Sequence, residues 1–208
     1  MTPRPYQPVH RQRAVDEGRA RMVVAARELL EAEDDEPFSI DAVARRAGVA
    51  RMTVYNQFGS KAGLLEALFD HLAERGELVR MPELFAERDP VVALDAFVAL
   101  FGRFWTSNRR AHRRLRAAAV HDPELSAAID SRNERRRRGL TELTRRLDTI
   151  ATPPLPSAEL VNVLFVLLSF ETFDALAGDG RSPNEVTPLL QRMARLVVGV
   201  EVQRSARP

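Results

Sequence analysis

Apolar residues in this chain recur mainly at the spacing of one helix face, and no segment shows the sustained alternation typical of a strand. In the amino-terminal part, Met22, Ala26, Leu29 and Leu30 share one face of a helix predicted over residues 15–31. Similar faces continue to the end of the chain. The pattern therefore predicts an all-α fold of about nine helices.

Cap signals indicate where the later helices begin. Asp89 and Asp122 each stand at an N-cap position before a proline, which suits the first helical residue. Ser157 is a further N-cap, and residues 182–185 form a capping box. These signals predict helices over residues 123–149, 157–178 and 183–203, a helix that begins at residue 90, and a shorter Arg-rich helix over residues 108–120.

Residues 38–72 predict two short helices joined by a glycine turn and a third helix that begins after Ser60. Ser39 stands at an N-cap position, and Asp41 falls in the first turn, where the helix dipole favours a negative charge. Gly48 follows the first short helix, where a left-handed residue is common. This arrangement is typical of a helix-turn-helix, whose second helix enters the major groove of DNA.

The second short helix has an inward and an outward side. Val54, Tyr55 and Phe58 are spaced to face inward. The residues that remain to face outward near its start are Arg51, Met52, Thr53 and Asn56. This is the part of a recognition helix that reaches base edges.

Local charge supports DNA binding by this segment. Between residues 42 and 65 the chain carries no acidic residue. The basic residues in the same interval are Arg45, Arg46, Arg51 and Lys61. A local positive field is the electrostatic footprint of phosphate binding, although the acidic residues within 31–36 come directly before it. From the pattern alone, an ordinary helical hairpin remains the alternative.

The same segment resembles the DNA-binding domain of the TetR family of transcriptional regulators. Of the 31 basic residues in the chain only Lys61 is a lysine, and it stands where the family places a phosphate-contacting lysine. The resemblance is carried by Val43-Ala44, Ala47-Gly48-Val49, Thr53-Val54-Tyr55, Phe58, Ser60-Lys61 and Leu64-Leu65.

The resemblance implies roles for seven residues. Ser39, Tyr55 and Lys61 would contact the DNA backbone. The residues on or near the bases would be Arg51, Met52, Thr53 and Asn56. Arg51 is the candidate for sequence reading, because arginine can bond bidentately to guanine O6 and N7, although a further phosphate contact is the alternative.

Two positions depart from the family pattern. Asn56 and Gln57 replace the aromatic or histidine pair often found there, so the base preference of relatives cannot be transferred. Gly63 stands near the start of the third helix and is expected to weaken it by up to ~1 kcal/mol relative to alanine.

The resemblance also implies the domain organisation. We expect a flexible basic arm over residues 1–13, a helix-turn-helix DNA-binding domain over 14–60, a connecting helix over 61–80, and an effector-binding and dimerisation domain over 81–208. The arm is predicted to be a disordered tail, with a DNA contact as the alternative.

The last two predicted helices indicate an interface. Residues 160–173 are apolar on nearly every side, and a helix of that kind must be covered all round. The resemblance implies a homodimer formed by a four-helix bundle, with a fully internal helix as the alternative. The predicted interface residues are Leu160, Leu164, Leu167, Leu189, Met193, Leu196, Val197 and Val200.

By the same resemblance, the middle helices would surround a pocket for a small-molecule effector. The predicted lining residues are Phe97, Phe101, Trp105, His112, Arg116, Phe165, Glu171 and Asp174. Plain core packing is the alternative for the aromatic residues, and ion pairs or helix-end contacts are the alternative for the polar ones. The arginine run 135–138 is typical of a solvated helix face, with an anionic effector as the alternative.

Composition argues against an enzyme. The chain has no cysteine, and its four histidines show no metal-ligand spacing. It has neither a glycine-rich phosphate loop nor a nucleophile elbow, so we predict no catalytic residue, no metal and no cofactor. The absence of an apolar leader and of a fully apolar run longer than residues 163–168 predicts a cytoplasmic protein without a membrane segment.

The hypothesis from sequence is a ligand-responsive transcriptional regulator. It would bind a near-palindromic DNA operator as a homodimer, act as a repressor, and be released by a small-molecule effector through a population shift. The alternative is a helical small-molecule-binding or adaptor protein without specific DNA binding.

Overall fold

The computed structural model describes residues 8–33, 36–150 and 154–200, and these residues form helices and turns without a strand. The all-α prediction is confirmed. Two short 3-10 helices, Leu78–Arg80 and Pro183–Val186, accompany the α-helices. The α-helices are α1 (Pro8–Glu31), α2 (Ile40–Ala47), α3 (Arg51–Phe58), α4 (Lys61–Arg75), α5 (Met81–Ala86), α6 (Pro90–Ser107), α7 (Arg109–Ala119), α8 (Pro123–Leu147), α9 (Ser157–Leu167), α10 (Phe170–Ala177) and α11 (Thr187–Val197).

The described residues therefore form more α-helices than predicted, partly because the helix expected over residues 157–178 is two helices. Ser169 caps α10, since its side chain accepts a hydrogen bond from the Thr172 backbone N–H at 3.2 Å. The Thr172 hydroxyl in turn donates to the Val166 carbonyl at 2.7 Å. A Ser and a Thr three residues apart thus supply a helix end and a new start without glycine or proline.

Other boundaries also differ from the predicted ones. The short helix α5 was not predicted. α1 begins at Pro8, a residue that suits a first helical turn, so residues 8–13 are helical where a flexible arm was expected. Residues 1–7 of the predicted arm lie outside the described residues. The capping box of residues 182–185 is present, but it opens a 3-10 turn that precedes α11.

The chain divides into two compact units, of which the first comprises residues 1–71 and 113–128. Within this unit α1 packs on α2, and α2 packs on α3. Its core is fully buried and apolar, and it draws on residues from both stretches of the chain. Core members include Met22, Ala26, Leu29, Val43, Val54, Leu64, Leu68, Leu115 and Leu125.

The second unit comprises residues 72–112 and 129–208, and α6 lies at its centre. The Asp89 side chain caps α6 as predicted, accepting from the Val91 backbone N–H at 2.8 Å. α6 packs against α5, α10 and α11. By length and composition alone, α6 would qualify as a membrane span, as would the bent pair α9 and α10 taken together. Since 56% of the α6 window is buried inside the fold, its apolar character is accounted for by core packing.

Three helices contribute residues to both units. α4 is divided between residues 71 and 72, α7 between 112 and 113, and α8 between 128 and 129. The first unit is therefore not a continuous stretch of sequence.

Candidate nucleic-acid interface

The turn between α2 and α3 is built as a helix-turn-helix. Ser39 caps α2 by accepting from the Ala42 backbone N–H at 3.1 Å. Gly48 ends the helix in the left-handed region, with φ 67° and ψ 34°, which glycine adopts without strain. The Val49 backbone N–H donates to the Ala44 carbonyl at 3.0 Å. These local bonds satisfy the helix end and set the start of α3.

α3 presents its first turn to solvent and anchors itself through Val54. Val54 is completely buried. Arg51, Met52 and Asn56 are exposed, and Met52 is 64% exposed, which is high for a methionine. The two predicted DNA contacts Thr53 and Tyr55 are half-buried. An exposed polar and basic first turn on a well-anchored short helix is the surface that a recognition helix needs.

Arg51 is held by two neighbours. Its guanidinium donates to Asp41 Oδ2 at 2.8 Å and to the Tyr55 hydroxyl at 3.3 Å. The guanidinium carbon also lies 5.5 Å from the centre of the Tyr55 ring. The hydrogen bond with Tyr55 and the negative charge of Asp41 raise the pKa of Arg51. From sequence, Asp41 was assigned only to the helix dipole, and its contact with Arg51 was not foreseen.

Lys61 forms an ion pair with Asp122, a residue 61 positions away in the chain. The other oxygen of Asp122 accepts from the Leu125 backbone N–H at 3.2 Å, so the carboxylate also caps α8. Burial acts to raise the pKa of Asp122, but hydrogen bonds from Lys61 and from the backbone of Leu125 and Glu124 outweigh it, and the pKa lies below its ordinary value. The cap was predicted from the local sequence, whereas the pairing with Lys61 was not.

Two further arginines of the first unit donate hydrogen bonds to backbone carbonyls of segments distant in the chain. Arg19 donates to the Gln57 carbonyl at 3.1 Å, and its guanidinium lies 4.4 Å from the centre of the Phe58 ring, so it supports the end of α3. Arg114 donates to the Ala32 and Glu36 carbonyls at 2.9 and 3.0 Å. Neither residue carries a local sequence signal, because each acts on a segment distant in the chain.

Most of the predicted effector-pocket aromatics pack together in the second unit. The Phe101 and Trp105 ring centres are 5.6 Å apart, and those of Trp105 and His112 are 4.7 Å apart. Arg136, from the run predicted to be solvated, is only 6% exposed, and its guanidinium lies 4.2 Å from the Phe165 ring centre. Arg136 and Trp105 both donate to the Leu168 carbonyl at the end of α9. These residues form an aromatic cluster beside the buried guanidinium of Arg136.

The remaining predicted pocket residues lie elsewhere. Asp174 pairs with Arg109 at 2.5 Å, and Glu171 is exposed. Arg116 is half-buried and belongs to the first unit. A cavity of about 560 Å³ between α8 and α9 is lined by Arg137, Thr141, Thr144, Arg145, Asp148, Ser157, Ala158, Val161 and Asn162.

The predicted dimer residues divide into three groups by exposure. Leu160, Leu164 and Leu167 are buried inside the chain itself, because they face the neighbouring helices. Val197 and Val200 are half-buried. The exposed apolar residues on α9 and α11, hereafter the α9/α11 face, are Val163, Val166, Leu189, Met193 and Leu196. Val163 and Val166 were not among the predicted interface residues.

Comparison with known proteins agrees with the geometry of the first unit. Residues 23–68 match the profile of the bacterial regulatory proteins of the tetR family. The HTH-type transcriptional regulator AlkX of Mycobacterium tuberculosis is 43% identical over 51 residues, which cover 24% of this chain and 24% of that protein. The match thus spans about a quarter of that relative's length.

Solved structures share the fold over most of the chain. NalD, the secondary repressor of the MexAB-OprM multidrug efflux pump in Pseudomonas aeruginosa, has a TM-score of 0.66 and 21% identity over 90% of this chain and 99% of that one. A transcriptional regulator from Saccharomonospora viridis solved in complex with choline has a TM-score of 0.65 and 18% identity over 86% of this chain and 95% of that one. Over residues 23–68 the chain is therefore similar to the tetR family of bacterial regulatory proteins, and over most of its length it shares the fold of these solved structures.

Proposed function

We propose that this chain is a ligand-responsive transcriptional regulator that acts as a repressor. It binds a near-palindromic operator as a homodimer and leaves the DNA when a small molecule binds to it. The observation that carries the proposal is the exposed first turn of α3, with Arg51, Met52 and Asn56 in the outward positions of a family helix-turn-helix.

DNA recognition divides between base and backbone contacts. Arg51 and Asn56 lie on the exposed side of α3, where Arg51 can read a guanine in the major groove and Asn56 an adenine. Tyr55, Lys61 and Ser39 contact phosphates, while Met52 and Thr53 pack against the bases. A good bidentate arginine contact discriminates against the wrong base by about 1–3 kcal/mol, so Arg51 contributes most to sequence preference.

Dimerisation uses the α9/α11 face. An exposed apolar surface made by two helices that pack on each other is typical of an interface. A two-fold dimer places two recognition helices at half-sites about one helical turn apart, and this accounts for a near-palindromic operator.

The effector binds in the second unit. The complex of the S. viridis relative with choline supports a small-molecule site in this fold. The effector releases DNA by favouring a dimer in which the recognition helices are wrongly spaced, and it need bind that state only a few kcal/mol more tightly.

Fluorescence anisotropy on labelled DNA tests this function. The native fragment upstream of the chain's own gene is compared with a scrambled duplex at several salt concentrations. We expect tight binding with a large preference for the native fragment. Arg51→Ala should lose that preference, and Tyr55→Ala should weaken binding to both duplexes because it removes a phosphate contact. Arg138→Ala removes one exposed charge in the second unit and should change little. Equal, steeply salt-dependent binding to both duplexes would instead favour the adaptor alternative.

A further inference from the structure

We infer that Asp122 occupies Lys61 in the free protein in place of an operator phosphate, and thereby sets the affinity of the chain for DNA. The inference rests on the proposed function, in which Lys61 contacts the DNA backbone. Asp122 is then an internal competitor: every phosphate contact by Lys61 requires that the ion pair with Asp122 be broken or shared.

The Lys61–Asp122 pair is better shielded than the Arg51–Asp41 pair at the start of α3. Its side chains are 23% and 19% exposed, compared with 56% and 48% for Arg51 and Asp41. Exposed pairs contribute little free energy because water and salt screen them, whereas partly buried pairs are screened less. Arg51 therefore leaves Asp41 at low cost, and Lys61 leaves Asp122 at a higher one.

The α8 cap prevents Asp122 from moving aside. One carboxylate oxygen accepts the Leu125 backbone N–H while the other holds Lys61. A lysine ammonium has three donors, so it could in principle serve a carboxylate and a phosphate together. That arrangement would bring two anions close to each other, and their repulsion opposes DNA binding. Asp122 therefore lowers DNA affinity whether the pair breaks or is shared.

The decisive variant is Asp122→Asn. Asparagine caps a helix as well as aspartate does, so α8 keeps its start while the charge on Lys61 loses its partner. Glu124→Gln is the matched control, because Glu124 is an exposed carboxylate in the first turn of the same helix. Both variants remove one negative charge at the start of α8.

We expect Asp122→Asn to bind duplex DNA about three- to tenfold more tightly than the wild-type chain, with Glu124→Gln nearly unchanged. In a Lys61→Met background, Asp122→Asn should give no gain in DNA affinity, because the Asp122 carboxylate then has no ammonium group to pair with. Equal affinity of Asp122→Asn and Glu124→Gln would overturn the inference. So would a gain that persists in the Lys61→Met background.

A DNA-free measurement uses the fact that Lys61 is the sole lysine of the chain. Selective ¹³C and ¹⁵N labelling of lysine gives a single side-chain ammonium signal in an NMR spectrum. Asp122→Asn should shift this signal and speed its proton exchange with water, whereas Glu124→Gln should not. A signal identical in wild type and Asp122→Asn would show that the pair is not formed, and would overturn the inference.

Failure of the proposed regulatory function and failure of the proposed role of Asp122 would give different results. If the wild-type chain binds native and scrambled DNA equally, the proposed regulator fails, but the scrambled duplex still tests the competition, since phosphate contacts do not depend on sequence. If specific binding is found and Asp122→Asn gives no gain, only the role of Asp122 fails.

Discussion

Arg51 combines a charge, a carboxylate partner and an aromatic partner in one place. Asp41 and Tyr55 both accept hydrogen bonds from its guanidinium, so one orientation of the side chain is favoured in the free protein. A pre-oriented side chain loses less conformational entropy on binding. The exposed pair with Asp41 is weak enough to exchange for a base edge.

Arg51→Lys tests whether sequence preference depends on the planar guanidinium group of Arg51 or only on its positive charge. Lysine keeps the positive charge but cannot form the bidentate contact with guanine. We expect the preference for operator over scrambled duplex to fall by about 1–3 kcal/mol, with affinity for the scrambled duplex nearly unchanged. Anisotropy titrations of both duplexes measure this. Equal losses on the two duplexes would instead identify Arg51 as a phosphate contact.

At the scale of the helix, Gly63 has a low helix propensity, but the packing of α4 against the end of α3 requires a residue without a side chain at this position. A Cβ atom at this position would lie 2.1 Å from the Phe58 carbonyl oxygen. The end of α3 therefore approaches the first turn of α4 too closely for any side chain. Helix propensity alone favours alanine here, but the backbone contact opposes it.

Gly63→Ala should accordingly destabilise the protein, although alanine is the better helix former. Overpacking of this kind costs about 1–3 kcal/mol. Gly18→Ala in α1 is the matched control, because its nearest neighbour is 4.0 Å away, and it should stabilise by up to about 1 kcal/mol. Urea unfolding of both variants measures whether each substitution raises or lowers the free energy of unfolding. Stabilisation by Gly63→Ala would contradict the close approach of α3 and α4.

Helix starts capped by a nearby side chain were the most predictable elements, and long-range pairs were the least. The predicted cap Ser157 is an exception, because it is the first residue of α9 and its hydroxyl donates to Asp148 instead. The caps at Asp89 and Ser39 depend on residues two or three positions away, so the local sequence contains the whole signal. The partner of Lys61 is a residue 61 positions distant, and nothing near Lys61 indicates it. Likewise, Arg136 lies within a run of four arginines, and only the packed fold shows which of them is buried.

At the scale of the whole molecule, the α9/α11 face is the exposed apolar surface that we propose as the dimer interface. Val166 and Leu196 are each more than 60% exposed, at 64% and 63%. The more strongly apolar positions Leu160 and Leu164 are already used inside the chain. The interface on these two helices stays a prediction, and the packed fold changes only its residues, because the outward side of α9 is evident only once the inward side is known.

Leu196→Glu should weaken the proposed dimer. A carboxylate in an apolar interface would be buried without a partner, and this costs several kcal/mol. One chain has a mass of 23.4 kDa. Light scattering after size exclusion should give about twice this mass for the wild-type protein and a mass closer to that of one chain for Leu196→Glu. Val79→Glu, at a valine 72% exposed outside this face, should leave the mass unchanged. A Leu196→Glu variant that stays dimeric at all concentrations would exclude the face.

The composition of the first unit has a consequence for protein engineering. Residues 113–128 supply Leu115 and Leu125 to its buried core, together with Arg114 and Asp122. A fragment truncated after α4 would expose the apolar side chains that those leucines cover, and it would lose the partner of its only lysine. A chimaera that joins the first unit to another domain must therefore also carry residues 113–128 from the middle of the chain.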